Sequence, residues 1–377
     1  MRYDVAVIGL GCMGSAILAE CACRGSRVIG LEQFQRGHTA GSSNGKSRMI
    51  RKAYFEDPAY VPLLLRAYDL WRKLEEVTGE DLLRITGLLM VGSEDADIIV
   101  GAECAAQQHD LPLEVLGARE IRHRYPILRI EDNEMAVFET DGGVIDPERA
   151  VEAHLRVAAA ASAVLHFGAA MASWEPRGDG FMVQLANGTT IESRALILSL
   201  GPWLQKELEK LGLILRVQRN VQAWFTPATG EYVAGRFPAF LLDRKILPAP
   251  LYGFPDFGDG VKAAFHSLGA CTDMVQFDRE ISQSRDIEPI VRATENWMPG
   301  AAATFRAAKA CPYSLTPDGH FVIDHHPDHS GLILCGGFSG HGFKFAPVVG
   351  EICADLAFEA TPRHEVGFLS LRRFGHS

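Results

Sequence analysis

The chain has 377 residues, 47% hydrophobic and 22% charged, long enough for two substantial cores and unlike a disordered or fibrous protein. Its 37 basic and 47 acidic residues give a net charge of −10 with no run of five like charges, which argues against a nucleic-acid or anionic-membrane partner and for a small molecule. Eight cysteines form no CxxC pair, no stretch reaches the roughly 18 apolar residues of a membrane span, and neither MRYDVAVIGL nor the C-terminal RRFGHS reads as a targeting signal, so a cytoplasmic protein with reduced thiols is expected.

The opening segment, YDVAVIGLGCMGSAILAECACRGSRVIGLEQF, reads as strand, glycine turn, helix and second strand. Asp4 to Ile8 is an apolar, β-branched run suited to a central parallel strand. Gly9, Gly11 and Gly14 form GxGxxG: the first permits a tight turn, the second lets backbone approach a pyrophosphate, and the third lets helix lie close on strand. The helix then presents its N-terminal amides to phosphate. Gly25 closes the helix, and Glu32 ends the second strand where a carboxylate can bind a ribose hydroxyl, favouring FAD or NAD over NADP. A polar glycine loop follows, GHTAGSSNGKSRMIRKAY, in which Ser43, Asn44 and Arg48 can approach a second, bulky ring system. A solvated surface loop is the competing account of that segment.

Residues 58–80 carry apolar positions at helical spacing, with Tyr60, Tyr68 and Trp71 as a core stripe. ITGLLMVGS reads as a strand, DADIIVGAECAAQQHD as a helix, and residues 180–191 as a hairpin around Asn187-Gly188. SRALILSLGPW is expected to be a further buried strand running into a cofactor-side turn at Gly201. From about 215 to 310 the alternation suggests an antiparallel sheet, after which GLILCGGF returns as a strand before a helix from about Ala346. The cluster His320, Asp324, His325, His326, Asp328 and His329 lacks helical i, i+4 ligand spacing and is read as a polar turn, with no metal expected.

The C-terminal third is more specific. KACPYSLTPDGHFVIDHHP, GFSGHGFKFAPVVGEICADL and LSLRRF, with GSSNGKSRMIRKAY and YGFPDFGDGVKAAFH in the same order, resemble the monomeric sarcosine oxidase family of FAD-dependent amine oxidases, which includes N-methyltryptophan and pipecolate oxidases. The resemblance spans essentially the whole chain. It implies a two-domain α/β fold: a Rossmann-like FAD-binding unit of glutathione-reductase type from residues 1–80, 141–214 and 316–377, and a mixed β-sheet substrate unit from 81–140 and 215–315.

The resemblance also assigns residues. Cys311 would carry FAD as a thioether, with Lys309 and Arg306 as neighbouring cations that favour the thiolate. Gly337, Gly340 and Gly342 would lie against the flavin, while Arg51 and Lys344 would clamp a substrate carboxylate. Lys262 would promote reaction with dioxygen, His266 four residues on would join the active site, and Tyr252 and Tyr313 would wall the substrate cavity. Read without the family, Cys311 is a buried inert thiol, Arg51 and Lys344 make surface ion pairs, and His266 and the tyrosines are core. Asn44 stands where sarcosine oxidase has a histidine. The implied activity is oxidation of a secondary amino acid to an imine, which hydrolyses, with dioxygen reduced to hydrogen peroxide by a monomeric protein. The alternatives are N-methyltryptophan, pipecolate or another cyclic or glycated amine as substrate, or an FAD dehydrogenase with a protein acceptor.

Overall fold

The apolar run at the start of the chain becomes strand Arg2–Ile8, with Val5, Ala6 and Val7 fully buried, in a computed structural model that describes residues 2–375. The last two residues of the C-terminal RRFGHS lie outside the described residues. Helix Cys12–Cys23 follows the glycine turn, and strand Val28–Glu32 pairs parallel with the first strand. Both faces of this sheet are covered, which is why the strands read as unbroken apolar runs.

This first sheet has eight strands. Val164–Phe167 extends it beyond Val28–Glu32, and Thr190–Leu198 pairs parallel with Arg2–Ile8 on the other side. The hairpin and the buried strand expected separately in 180–191 and SRALILSLGPW share one strand. Thr190–Ser193 pairs antiparallel with Gly180–Leu185, while Leu196–Leu198 pairs parallel with Leu332–Leu334 of the returning strand His329–Gly336. The polar first half and apolar second half of that strand suggested two elements because its surroundings change along its length. Helices Cys12–Cys23, Pro147–Ala160 and Ala346–Ala357 share one apolar core, together with Tyr60, Tyr68 and Trp71 of the 58–80 stripe.

The second sheet has nine strands. Arg216–Thr226 lies between Val261–Phe265 and the long strand Thr304–Leu315, antiparallel to both. The antiparallel region expected from 215 to 310 continues further: Ala239–Asp243 pairs parallel with Leu88–Ser93, which joins Glu134–Glu139 and Glu114–Gly117. A small third sheet, Arg48–Ile50, Gly143–Ile145 and Leu83–Ile85, holds the end of the polar loop and so fixes Arg48 and Arg51.

Candidate active site

A cavity of about 800 Å³ runs from the glycine turn to the second sheet. Gly9 has φ +88, and a Cβ there would meet the Ser199 carbonyl oxygen at 2.4 Å; a Cβ at Gly14 would sit 1.7 Å from the Gly9 carbonyl oxygen. The floor is therefore bare backbone. Glu32 accepts hydrogen bonds from the amides of Leu10 (2.8 Å, on Oε2) and Phe34 (3.0 Å, on Oε1), with His38 Nε2 3.5 Å from Oε1, which leaves a lone pair free on Oε2. Burial acts to raise this carboxyl, but His38 and the two amides outweigh it and hold it below its ordinary range. The Ser43 hydroxyl accepts the Cys12 amide at 2.9 Å, and Gly11, Ser43 and Gly201 line the same end. A cradle that any Cβ would fill, with a ribose-binding carboxylate beside it, fits a dinucleotide such as FAD.

In the middle of the cavity, Cys311 is 3% exposed on Thr304–Leu315, opposite Asn220. Burial pushes its thiol up, opposed first by Arg48 and then by Lys262 and Lys309. Arg306, expected to help, is instead exposed and donates to the Gly258 carbonyl, too far out to act on the thiol. Arg48 replaces it. Its guanidinium donates to the carbonyls of Ser42 (2.8 Å), Ser47 (2.8 Å) and Asn44, so its charge is solvated by backbone dipoles and not cancelled by a carboxylate.

At the far end, Arg51, 3% exposed, lies between the rings of Tyr54 and Phe55, 4.4 and 4.1 Å from their centroids. Its guanidinium, expected to face a substrate carboxylate, turns Nη2 to both Glu56 oxygens at 2.7 and 2.6 Å and Nη1 to the Ala53 carbonyl at 3.3 Å, while Nε is buried without a partner. Burial would raise Glu56, but Arg51, then His341 and Lys344, bring it to about 2. The Lys344 ammonium donates to the His341 carbonyl at 2.7 Å, and burial, reinforced by Arg51, lowers it to about 7. His341 Nε2 faces the Gly319 carbonyl at 3.1 Å and must carry the proton, so Nδ1 accepts from the Tyr54 hydroxyl at 2.5 Å. Burial holds His341 at about 3 and His266 at about 4, so both are neutral. His266 packs against Tyr252 and Tyr313, whose hydroxyls are 3.4 Å apart, and all three line the cavity with Lys344, Gly340 and Gly342. Gly340 is needed there because a Cβ would sit 2.3 Å from the Tyr313 ring.

Four expected site residues do not line this cavity. Gly14 acts one layer below, by close packing on Gly9. Asn44 turns inward and donates to the Thr39 (3.3 Å) and Gly41 (2.9 Å) carbonyls, which shapes the loop. Gly337 abuts the side chain of Thr316. Lys262 is 1% exposed, its ammonium held by the carbonyls of Gly45 (2.8 Å) and Ser47 (2.9 Å) behind the loop, and burial lowers its pKa well below the ordinary value, with Arg48 adding to the shift. Sequence reasoning missed Glu56 and His341. Each lies in a stretch already singled out or next to one, but only the fold turns Glu56 back onto Arg51. In the histidine cluster, His326 and His329 stack at 5.0 Å beside Trp174, and among the described residues no three metal-ligating side chains converge.

The FAD dependent oxidoreductase family model, DAO, matches residues 4–356. The chain belongs to that family. It is an FAD-dependent oxidoreductase, as its motifs implied. Over 378 aligned residues it is 42% identical to the monomeric sarcosine oxidase of Streptomyces avermitilis, covering 98% of this chain and 97% of that protein. It is 32% identical to the N-methyl-L-tryptophan oxidase of Yersinia pestis, covering 99% and 100%. Among solved structures it resembles NikD, an unusual amino acid oxidase essential for nikkomycin biosynthesis, with a TM-score of 0.87, 26% identity, and coverage of 98% and 97%. The α/β fold with a DAO-type nucleotide unit thus agrees with the sequence reading, and among the described residues no helix is long and apolar enough to cross a membrane.

Proposed function

We propose that this DAO-family protein oxidises the C–N bond of a secondary amino acid such as sarcosine. The observation that carries this reading is the far end of the cavity, where Arg51 and Lys344 offer positive charge beside the neutral His266 and the Tyr252–Tyr313 pair. An amino acid carboxylate is the group that such an end binds. Glu56 holds Arg51 in the free protein, and an incoming carboxylate competes for the same fork. Neutral His266 and aromatic walls favour the uncharged amine, whose C–H bond is the one that reacts. The sarcosine oxidase and N-methyltryptophan oxidase relatives support an N-methyl substrate.

Bound FAD supplies the two-electron acceptor, and dioxygen then takes those two electrons with two protons to give hydrogen peroxide. The imine adds water, and from an N-methyl substrate releases formaldehyde and the primary amino acid. Arg48, its charge held by backbone carbonyls, keeps that region positive and would favour negative charge there. Cys311 holds FAD through a thioether. In forming that bond Cys311 would give up its thiol proton and act as the thiolate. Arg48 is the foremost cation lowering the barrier to the thiolate.

The protein works as a monomer. Residues 1–80, 141–214 and 316–377 form the cofactor unit, which lends Arg51 and Lys344 to the substrate, and 81–140 with 215–315 form the substrate unit, which lends Cys311 to the cofactor.

The deciding experiment assays peroxide release from the purified yellow protein with sarcosine, N-methyltryptophan, pipecolate and proline in air. Turnover of an N-methyl or cyclic amino acid supports the reading, and the preferred amine reports cavity size. Reduction of FAD by amine without peroxide would replace it with a dehydrogenase. FAD that acid extracts from wild type as easily as from Cys311→Ala would refute the thioether.

A further inference from the structure

The segment 267–280, which follows strand Val261–Phe265, has both ends pinned to two consecutive residues of the neighbouring strand. Asn220, 4% exposed, accepts the amides of Leu268 (3.1 Å) and Gly269 (3.3 Å) on its side-chain oxygen. Arg219 donates to the carbonyls of Asp278 (2.8 Å) and Glu280 (2.7 Å) and to the Asp286 carboxylate at 2.8 and 3.0 Å. In the strand pairing Asn220 stands opposite Cys311, and Arg219 opposite Pro312, both of which line the main cavity. At the first anchor Ser267 has φ +60, and a Cβ on Gly269 would sit 1.4 Å from the Arg219 carbonyl oxygen, so the chain bends sharply and lies flat against the strand.

Between the anchors the segment is held lightly. Cys271–Thr272 pairs with Val217 and Gln218, and beyond it the hydrogen bonds of 273–277, among the described residues, stay within one turn, where Asp273 accepts the amides of Val275 (2.7 Å) and Gln276 (2.8 Å). Asp273, Met274 and Val275 line the main cavity, yet Val275 is 86% exposed, so the turn is a single thickness of chain between cavity and solvent. Across the opening lies the polar loop: Arg279 donates to its Ala40 carbonyl at 2.6 Å, and its Ser42 hydroxyl donates to the Pro312 carbonyl beside Cys311. An apolar tip facing water gains by covering a large ring system beneath it. Two fixed ends, an unpinned middle and one contact across the gap are the parts of a lid.

We propose that residues 273–277 form a lid that lifts to admit FAD and closes over it on the Cys311 side, latched by Arg279 to the polar loop. The inference rests on the binding of FAD in this cavity, and on neither the amine reaction nor the thioether. Its functional consequence is that the cofactor enters through a different part of the cavity wall from the Arg51–Lys344 end.

The test uses the full chain carrying Cys311→Ala, in which FAD exchanges whether or not wild type holds it covalently. Arg279→Ala removes the latch, and Asp273→Ala loosens the turn through a different contact should the first variant fail to fold. FAD uptake by the stripped protein and FAD release from the loaded one are each expected to quicken about tenfold in either variant, the loss of charge-assisted hydrogen bonding, with Kd unchanged. Equal change in both rates marks a gate, because loss of a direct contact to FAD raises release alone. The two substitutions change the charge in opposite directions, so a shared quickening is not electrostatic steering. Reduction of bound FAD by amine should match that of the Cys311→Ala parent. Parental exchange rates in both variants, or faster release with uptake unchanged, would overturn the lid. Slower amine reduction with FAD exchange intact would also overturn it, by making the segment a substrate gate. If no amine reduces the protein, the oxidase reading fails, while the FAD exchange rates still decide the lid.

Discussion

The two ends of the main cavity are built by different means. The Gly9–Glu32 end is bare backbone and one carboxylate, drawn from a single strand-turn-helix-strand unit. The Arg51–Lys344 end is made of side chains from segments far apart in the chain, with charges set by burial and by one another. Backbone amides do not titrate and Glu32 is held below its ordinary range, so the first end is intolerant of added atoms and keeps its carboxylate charged at neutral pH. The second responds to every change of charge.

Gly14→Ala is the largest expected break. A methyl 1.7 Å from the Gly9 carbonyl oxygen forces helix and turn apart, and the protein should lose FAD, read as loss of yellow absorbance in the folded fraction. Normal FAD content would show that the turn is not a tight backbone cradle.

At the other end, Arg51→Ala should raise KM for amino acid about tenfold to a hundredfold, the loss of charge-assisted hydrogen bonds, with little loss of FAD. Glu56→Gln should lower KM, because the internal carboxylate no longer competes for the fork. A rise in KM for Glu56→Gln would instead mean that the pair positions Arg51.

Lys344 gives a smaller, pH-dependent effect. Its pKa is about 7 in the free protein, so it is charged below pH 7 and loses charge above it. Binding of a carboxylate that lacks an amine, followed by FAD absorbance, should weaken several-fold as pH rises through 7. Lys344→Met should flatten the profile, and an unchanged slope would assign the titration elsewhere.

The smallest effect is on stability. His154 and His266 sit at about 4 and His341 at about 3, all lowered by burial from 6.5. The unfolded chain takes up these protons first, so stability present above pH 6.5 is lost as pH falls towards 4, by at most about 1.4 kcal/mol per pH unit for each histidine. His154→Leu, remote from the cavity lining, should shallow the fall in Tm with pH if its packing holds.

The first unit was legible almost residue by residue, because tight turns, parallel strands and helix N-termini leave local signatures in residue type and spacing. Sarcosine-oxidase-like motifs brought Cys311, His266, Tyr252, Tyr313 and Lys344 to one cavity, as the structure also does. Periodicity could not show that Thr190–Leu198 is one strand in two environments, nor that Ala239–Asp243 crosses to pair with Leu88–Ser93. It also could not separate Lys262 from His266, four residues apart on a strand-like run, of which only His266 lines the main cavity.

The sequence by itself determined the dinucleotide cradle, the family and the kinds of side chain available for the chemistry. Those properties depend on local backbone demands and on short motifs. The tertiary structure decided which charges meet: Arg48 and not Arg306 at Cys311, Glu56 on Arg51, and Lys262 behind the polar loop. Electrostatic interactions act through space and depend on burial, and neither distance nor burial between remote segments is written in their spacing along the chain.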